Sequence, residues 1–116
     1  MTTANIRNQW FETHQRLSAE ADAFRDSQSV AFGLLDAYDK LALAEKEEIH
    51  EILAAWLVSE DNKLRYDAGF ITSQRQIVEM IPAVEKAVES VGERSGPEAR
   101  YELEKLNRIL DELKAA

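Results

Sequence analysis

The chain has 116 residues, no cysteine and a formal net charge of −8. This length suits one small domain, and the lack of cysteine excludes disulfides, thiolate metal sites and thiol nucleophiles. The acidic balance disfavours nucleic acid and anionic membranes as partners, because both are bound through clustered cations. The amino-terminal sequence has no cationic segment before an apolar run, and no stretch of about eighteen apolar residues occurs, so we expect a cytoplasmic protein.

Apolar residues recur at helical spacing along nearly the whole chain, and the alternation typical of strands is missing. This pattern predicts an all-α fold of about six helices. The first three are predicted near residues 4–25, 29–41 and 44–58. The third has the clearest apolar stripe, formed by Ile49, Ile52, Leu53, Trp56 and Leu57. We expect Trp56 to lie in the core.

The fourth helix is predicted to begin after Ser59 or Asp61, either of which can cap it, and to end near Gln74. It carries two apolar stripes on different sides, one of Leu64, Ala68 and Ile71 and the other of Tyr66 and Phe70. A surface helix needs only one such stripe to face the core. The second stripe therefore indicates either neighbours on two sides or a strip left open for a partner.

Two prolines mark the last two helices. The fifth helix is predicted to begin near Met80 with Pro82 in its first turn, and the sixth to begin with Ser95 as cap and Pro97 in its first turn. The sixth carries a stripe of Leu103, Leu106, Leu110 and Leu113. This heptad-like stripe can face the core or pair with a second copy of the chain.

The chain resembles itself at an offset of 35 residues. At this offset Ile49 meets Val84 and Trp56 meets Val91, and the stretch "RYD" at 65–67 meets "RYE" at 100–102. The third and fourth helices thus match the fifth and sixth. We expect a single domain over residues 1–116, in which 44–116 form two stacked helical hairpins and 1–43 form an N-terminal helical cap.

The stretch "SEDNKLRYDAGFITSQRQIVEMIPAVEKAVESV" at 59–91 resembles a HEAT-like repeat. It has an acidic turn, a second helix with an arginine and an early alanine, and an "IP" pair that opens the next helix. The resemblance implies a small α-solenoid, a stack of helical hairpins that binds other proteins, and it implies no catalytic residue. Similar small helical-repeat proteins occur in bacteria as immunity proteins and adaptors.

Candidates for catalysis or metal binding are few. The only histidines are His14 and His50, and no serine lies in a Gly-x-Ser-x-Gly elbow. Glu47 and His50 have the spacing of a di-iron helix, but no second copy exists, and Ala54 stands where a zinc-protease helix needs its second histidine. We therefore expect no enzyme, no metal and no cofactor.

The candidate partner-binding residues are Tyr66, Phe70, Tyr101, Arg65 and Arg100. Equivalent positions of stacked repeats fall on one continuous surface, and tyrosine offers a large contact area with a polar tip. Two alternatives stay open: the N-terminal helices cover this strip, or the arginines pair with acids of adjacent helices. A further acidic cluster, Glu45, Glu47, Glu48 and Glu51, can either meet a basic partner or form a solvated helix face.

These observations favour a non-enzymatic protein–protein interaction module, with an immunity or adaptor role as its most specific form. The alternative is a structural homo-oligomer, such as a homodimer, assembled through the leucine stripe of the C-terminal helix. A third hypothesis is a small-ligand-binding helical bundle around Trp10, His14 and Tyr38.

Overall fold

The computed structural model describes the backbone of residues 3–24 and 28–116 and the side chains of residues 5–21 and 30–116. Over these stretches the chain forms six α-helices and no strand, which confirms the predicted all-α class. The helices are α1 (Thr3–Phe24), α2 (Gln28–Asp39), α3 (Leu43–Leu57), α4 (Asn62–Gln74), α5 (Ile81–Gly92) and α6 (Pro97–Ala115). None of the helices described is long and apolar enough to span a membrane. Residues 1, 2 and 25–27 of the predicted N-terminal cap lie outside the described residues.

The first of two compact units comprises Met1–Ile52. Here α1 packs along α2, and Ile6 and Trp10 of α1 and Leu34 of α2 are buried. Gly33 allows this close packing, because a Cβ atom at that position would lie 2.6 Å from Leu17 Cδ2. The glycine that weakens α2 as an isolated helix therefore has a packing role.

The second unit comprises Leu53–Ala116. Within it α6 packs along α5 and also contacts α4. The stripe on α6 supplies much of the core, since Leu106, Leu110 and Leu113 are buried and Leu103 is half-buried. Trp56 is also buried, as predicted. Most of the leucine stripe of α6 is thus buried within the second unit of the chain itself.

Helix starts follow local sequence signals, with one correction. The Asp61 carboxylate accepts a bond of 2.9 Å from the Lys63 N–H and caps α4, so that of the two predicted candidates Asp61 rather than Ser59 is the cap. Pro97 is in the first turn of α6, but the cap residue is Gly96 rather than the predicted Ser95. Gly96 has φ 109°, a conformation that residues with a Cβ rarely adopt, so backbone geometry rather than a side-chain hydrogen bond starts this helix.

Both ends of α3 and the start of α4 recur 35 residues later, at the offset where the sequence resembles itself. Helix α3 spans Leu43–Leu57, and a 3₁₀ turn (Val78–Met80) continues into α5 so that the two together span 78–92, 35 residues later at both ends. Helix α4 begins at Asn62 and α6 at Pro97, which is the same offset. The residues that resemble one another in sequence therefore occupy corresponding places along their helices.

Candidate functional site

The aromatic side chains of the second stripe on α4 reach solvent. Tyr66 is 41% exposed and Phe70 is half-buried, and their rings stack with centroids 6.3 Å apart and planes inclined by 20°. This contact follows from the helix, because residues four apart lie one above the other on one face. Tyr101, the counterpart of Tyr66 at the repeat offset, is 65% exposed on α6.

A lysine that sequence reasoning missed joins these rings. The Lys105 ammonium lies 4.8 Å from the centroid of the Tyr66 ring and 5.6 Å from that of the Tyr101 ring, within the range of cation–π attraction. Its position four residues after Tyr101 on α6 was the available signal. We call Tyr66, Phe70, Tyr101 and Lys105 the tyrosine surface. Its two tyrosines have the exposure that a binding face requires, while binding itself stays a prediction.

Arg65, the neighbour of Tyr66 in sequence, is buried, with 7% of its area exposed. Its guanidinium donates to the Glu102 carboxylate from Nε, at 2.7 and 3.1 Å, and from Nη2, at 2.9 Å. Its Nη1 donates to the Ser59 carbonyl at 2.9 Å. The pair links α4 to α6, which confirms the alternative in which an arginine pairs with an acid of an adjacent helix. The burial of Arg65 and its bonds to Glu102 and Ser59 favour a structural role for this candidate binding residue.

Arg100 has the opposite environment. It is exposed and lines an open cavity of about 290 Å³ together with Arg94, and neither arginine takes part in an ion pair within the described part of the chain. The apolar part of the lining consists of Val91, Ala99 and Leu103. The structure thus separates the two candidate arginines, one enclosed and one open to solvent.

His50 packs against Tyr38 in the first unit. Tyr38 is buried, and its hydroxyl lies 2.7 Å from His50 Nε2, with the two rings stacked at 5.8 Å. Glu47 is exposed, so the Glu-x-x-His spacing does not bring its carboxylate into this contact. Among the described residues no group of three or more His, Cys, Asp or Glu is arranged to hold a metal ion.

Three members of the acidic cluster on α3 have partners within the same unit. Arg7 on α1 forms ion pairs with both Glu48 and Glu51, the former at 2.8 Å. The Glu45 carboxylate accepts a bond of 2.8 Å from the Ala42 N–H at the start of α3. Such bonds to the first backbone donors satisfy groups that have no acceptor inside the helix. These contacts favour a structural role for the cluster over a binding role.

No protein-family model, curated protein or solved structure matches this chain.

Proposed function

We propose that this chain is a non-enzymatic protein–protein interaction module that binds its partner through the tyrosine surface on α4 and α6. The observation that carries the proposal is the exposure of Tyr66 and Tyr101 around one ammonium group. Exposed aromatic rings held by a rigid helical scaffold are characteristic of residues that dominate binding energy, because tyrosine buries a large area with little loss of side-chain entropy.

The proposal includes a HEAT-like arrangement, in which α3–α4 and α5–α6 are two repeats of one hairpin and residues 1–43 form an N-terminal cap. Two observations support it. Both ends of α3 and the start of α4 recur after 35 residues, and Arg65 of the first repeat binds Glu102 of the second. Each repeat then buries its apolar face on the next, and the exposed helices form a binding surface. An immunity or adaptor role is the most specific form of this function.

The two alternatives have less support. Assembly through the leucine stripe of α6 requires apolar surface there, yet Leu106, Leu110 and Leu113 are buried within the chain's own second unit. A small-ligand site around Trp10 and His14 requires Tyr38 as a binding group, and this side chain is buried against His50. Tyr66 and Tyr101 of the tyrosine surface, by contrast, are exposed without any rearrangement.

Site-specific photo-cross-linking tests the proposal in cells of the source organism. A photoreactive phenylalanine derivative replaces Tyr66, Tyr101 or, as a matched control, Phe32, an aromatic residue of the first unit that is 59% exposed. We expect one protein to be cross-linked from both tyrosine positions and not from position 32. Cross-linking to the same proteins from all three positions, or to none from the two tyrosine positions, would contradict the proposal.

The cross-linked protein, once purified, allows a quantitative test. Tyr101→Ala should weaken binding by about tenfold or more, as expected for a central aromatic contact. Phe32→Ala should leave the Kd unchanged, and both variants should retain their circular dichroism spectra. A Tyr101→Ala variant that binds as tightly as the unaltered chain would remove the tyrosine surface from the interface.

A further inference from the structure

The residues that line the cavity beside Arg100 have counterparts 35 residues earlier in the chain. Five residues of the cavity lining have counterparts at that offset: Val91 corresponds to Trp56, Arg94 to Ser59, Ala99 to Leu64, Arg100 to Arg65 and Leu103 to Ala68. In the earlier copy the arginine holds the Glu102 carboxylate and the carbonyl of Ser59. Arg100 thus stands at the position equivalent to an arginine whose partner, the Glu102 carboxylate, is seen in this structure.

The two copies differ in what covers them. Helix α6 packs on α4, and in that copy Arg65 and Ala68 are buried. In the later copy Arg100 is exposed and Leu103 is half-buried. Arg65 is therefore enclosed because α6, which bears Glu102, packs on its helix. Arg100 is open to solvent because the described part of the chain supplies no such helix.

Charge favours a carboxylate as the missing group. Arg94 and Arg100 line one cavity without an ion pair inside the described stretches, although the chain has 22 acidic residues against 14 basic ones. A lining that combines two guanidinium groups with apolar side chains suits an acidic side chain, whose carboxylate can bond to a guanidinium and whose methylene groups can contact the apolar residues. Glutamate on a helix meets this description, as Glu102 does at Arg65.

We propose that the cavity beside Arg100 binds a glutamate or aspartate on a helix of the partner protein, in the way that Arg65 binds Glu102. This inference rests on the proposed function and specifies the partner: its binding helix lies along α6 as α6 lies along α4. The acid of that helix forms hydrogen bonds with the Arg100 guanidinium, and Arg94 adds a second positive charge beside it.

The outer side of α6 also limits the partner's sequence. Gly69 on α4 lies close to Ile109 of α6, since a Cβ atom there would be 3.6 Å from Ile109 Cδ1. The residue of α6 that corresponds to Gly69 is Glu104, which is exposed. Ile109 is seven residues after Glu102, so the partner helix carries its acid and then, two turns later, a basic residue opposite Glu104.

A synthetic helix provides a defined probe. The peptide has the sequence of residues 97–115 with Ile109→Lys, and it keeps the acid equivalent to Glu102. A second peptide carries Glu102→Gln in addition. Fluorescence anisotropy measures the binding of each labelled peptide to the full chain. We expect the acidic peptide to bind at least about tenfold more tightly than the neutral one, as is typical when one member of a desolvated charge pair is removed.

Variants of the chain locate the binding site. Arg100→Glu should raise the Kd of the acidic peptide by about tenfold or more. Lys86→Glu makes the same change of charge at an exposed site on α5 and should alter that Kd by less than about twofold. A peptide with Glu102→Arg should restore binding to the Arg100→Glu chain. Thermal melting checks that both variants are folded.

Three results would overturn the inference. These are no binding of the acidic peptide to the unaltered chain, equal binding of the acidic and neutral peptides, and equal effects of Arg100→Glu and Lys86→Glu. Each would indicate that the outer face of α6 is a polar cap, as terminal repeats often have. The proposed function would survive any of them, because cross-linking from Tyr66 and Tyr101 does not depend on Arg100.

Discussion

The same three-residue pattern occurs twice in the second unit, with opposite environments. At 65–67 the arginine is enclosed by an ion pair and the tyrosine is 41% exposed, whereas at 100–102 the arginine is exposed and the tyrosine is 65% exposed. The Arg-Tyr-acid pattern and its position along the helix are alike in the two places. The arginines differ because α6 packs on α4 and supplies Glu102 to Arg65, whereas no described helix supplies an acid to Arg100. The role of each arginine therefore depends on its neighbour rather than on its own motif.

The largest expected effect compares Trp56 with its counterpart Val91. Both are buried, but the indole fills far more of the core. Trp56→Ala should lower the free energy of unfolding by about 3–5 kcal/mol, and Val91→Ala by about 2 kcal/mol, because the cost rises with the cavity that is left. Urea unfolding followed by circular dichroism measures both. Equal losses would mean that the first copy packs no more deeply than the second.

The arginines should show the sharpest contrast. Arg65→Met leaves the Glu102 carboxylate without its partner, and we expect a loss of about 2–3 kcal/mol, below the range for fully buried pairs because 24% of the Glu102 side chain stays exposed. Arg100→Met should change the free energy of unfolding by less than about 0.5 kcal/mol, as is usual at the surface. Urea unfolding measures both losses. Equal changes in the free energy of unfolding for Arg65→Met and Arg100→Met would contradict the different environments of the two arginines.

The helix starts differ between the copies, and substitutions there separate side-chain capping from backbone geometry. Gly96→Ala should cost about 1–3 kcal/mol, because φ 109° is strained for a residue with a Cβ. Asp61→Ala should cost about 1 kcal/mol through loss of its bond to the Lys63 N–H. Thermal midpoints of the two variants check this order. A stable Gly96→Ala protein would show that α6 can start from another conformation.

The smallest expected effects are at the tyrosines. Tyr66→Ala removes the stack with Phe70 and one contact of Lys105, so we expect a loss of about 1 kcal/mol. Tyr101→Ala removes the cation–π contact at 5.6 Å between Lys105 and the Tyr101 ring, and should lower the free energy of unfolding by about 0.5 kcal/mol. A loss of several kcal/mol at either position would make that ring part of the core and would argue against a binding role.

Helical periodicity was sufficient for the secondary structure. It predicts the bounds of α1 to α4 and the starts of α5 and α6 to within about two residues, since long amphipathic segments separated by turn residues are the strongest local signal. The cap at Asp61 was also predictable, because an acidic side chain can meet the orphan donors of a first turn. Gly96 was missed because Ser95 is the better cap by side-chain chemistry, whereas the chain uses the glycine's backbone freedom.

The candidate site was predictable only in part, because exposure depends on contacts between distant segments. Tyr66, Phe70 and Tyr101 could be named from their spacing, but periodicity does not tell which neighbour covers a second apolar stripe. Arg65 and Glu102 are 37 positions apart, and only the repeat offset hints that one meets the other. Lys105 lies one turn from Tyr101, a spacing that could have indicated it.

Side-chain exchange of the arginine Nε–H groups tests the central difference most directly. One NMR spectrum of the unaltered chain reports on both residues. The Arg65 Nε–H, bonded to the Glu102 carboxylate at 2.7 Å, should exchange slowly with water, and the Arg100 Nε–H should exchange rapidly until the acidic helix peptide is added, when it should become protected. Similar exchange rates for the two residues in the free chain, or an Arg100 signal that the peptide leaves unchanged, would contradict the account.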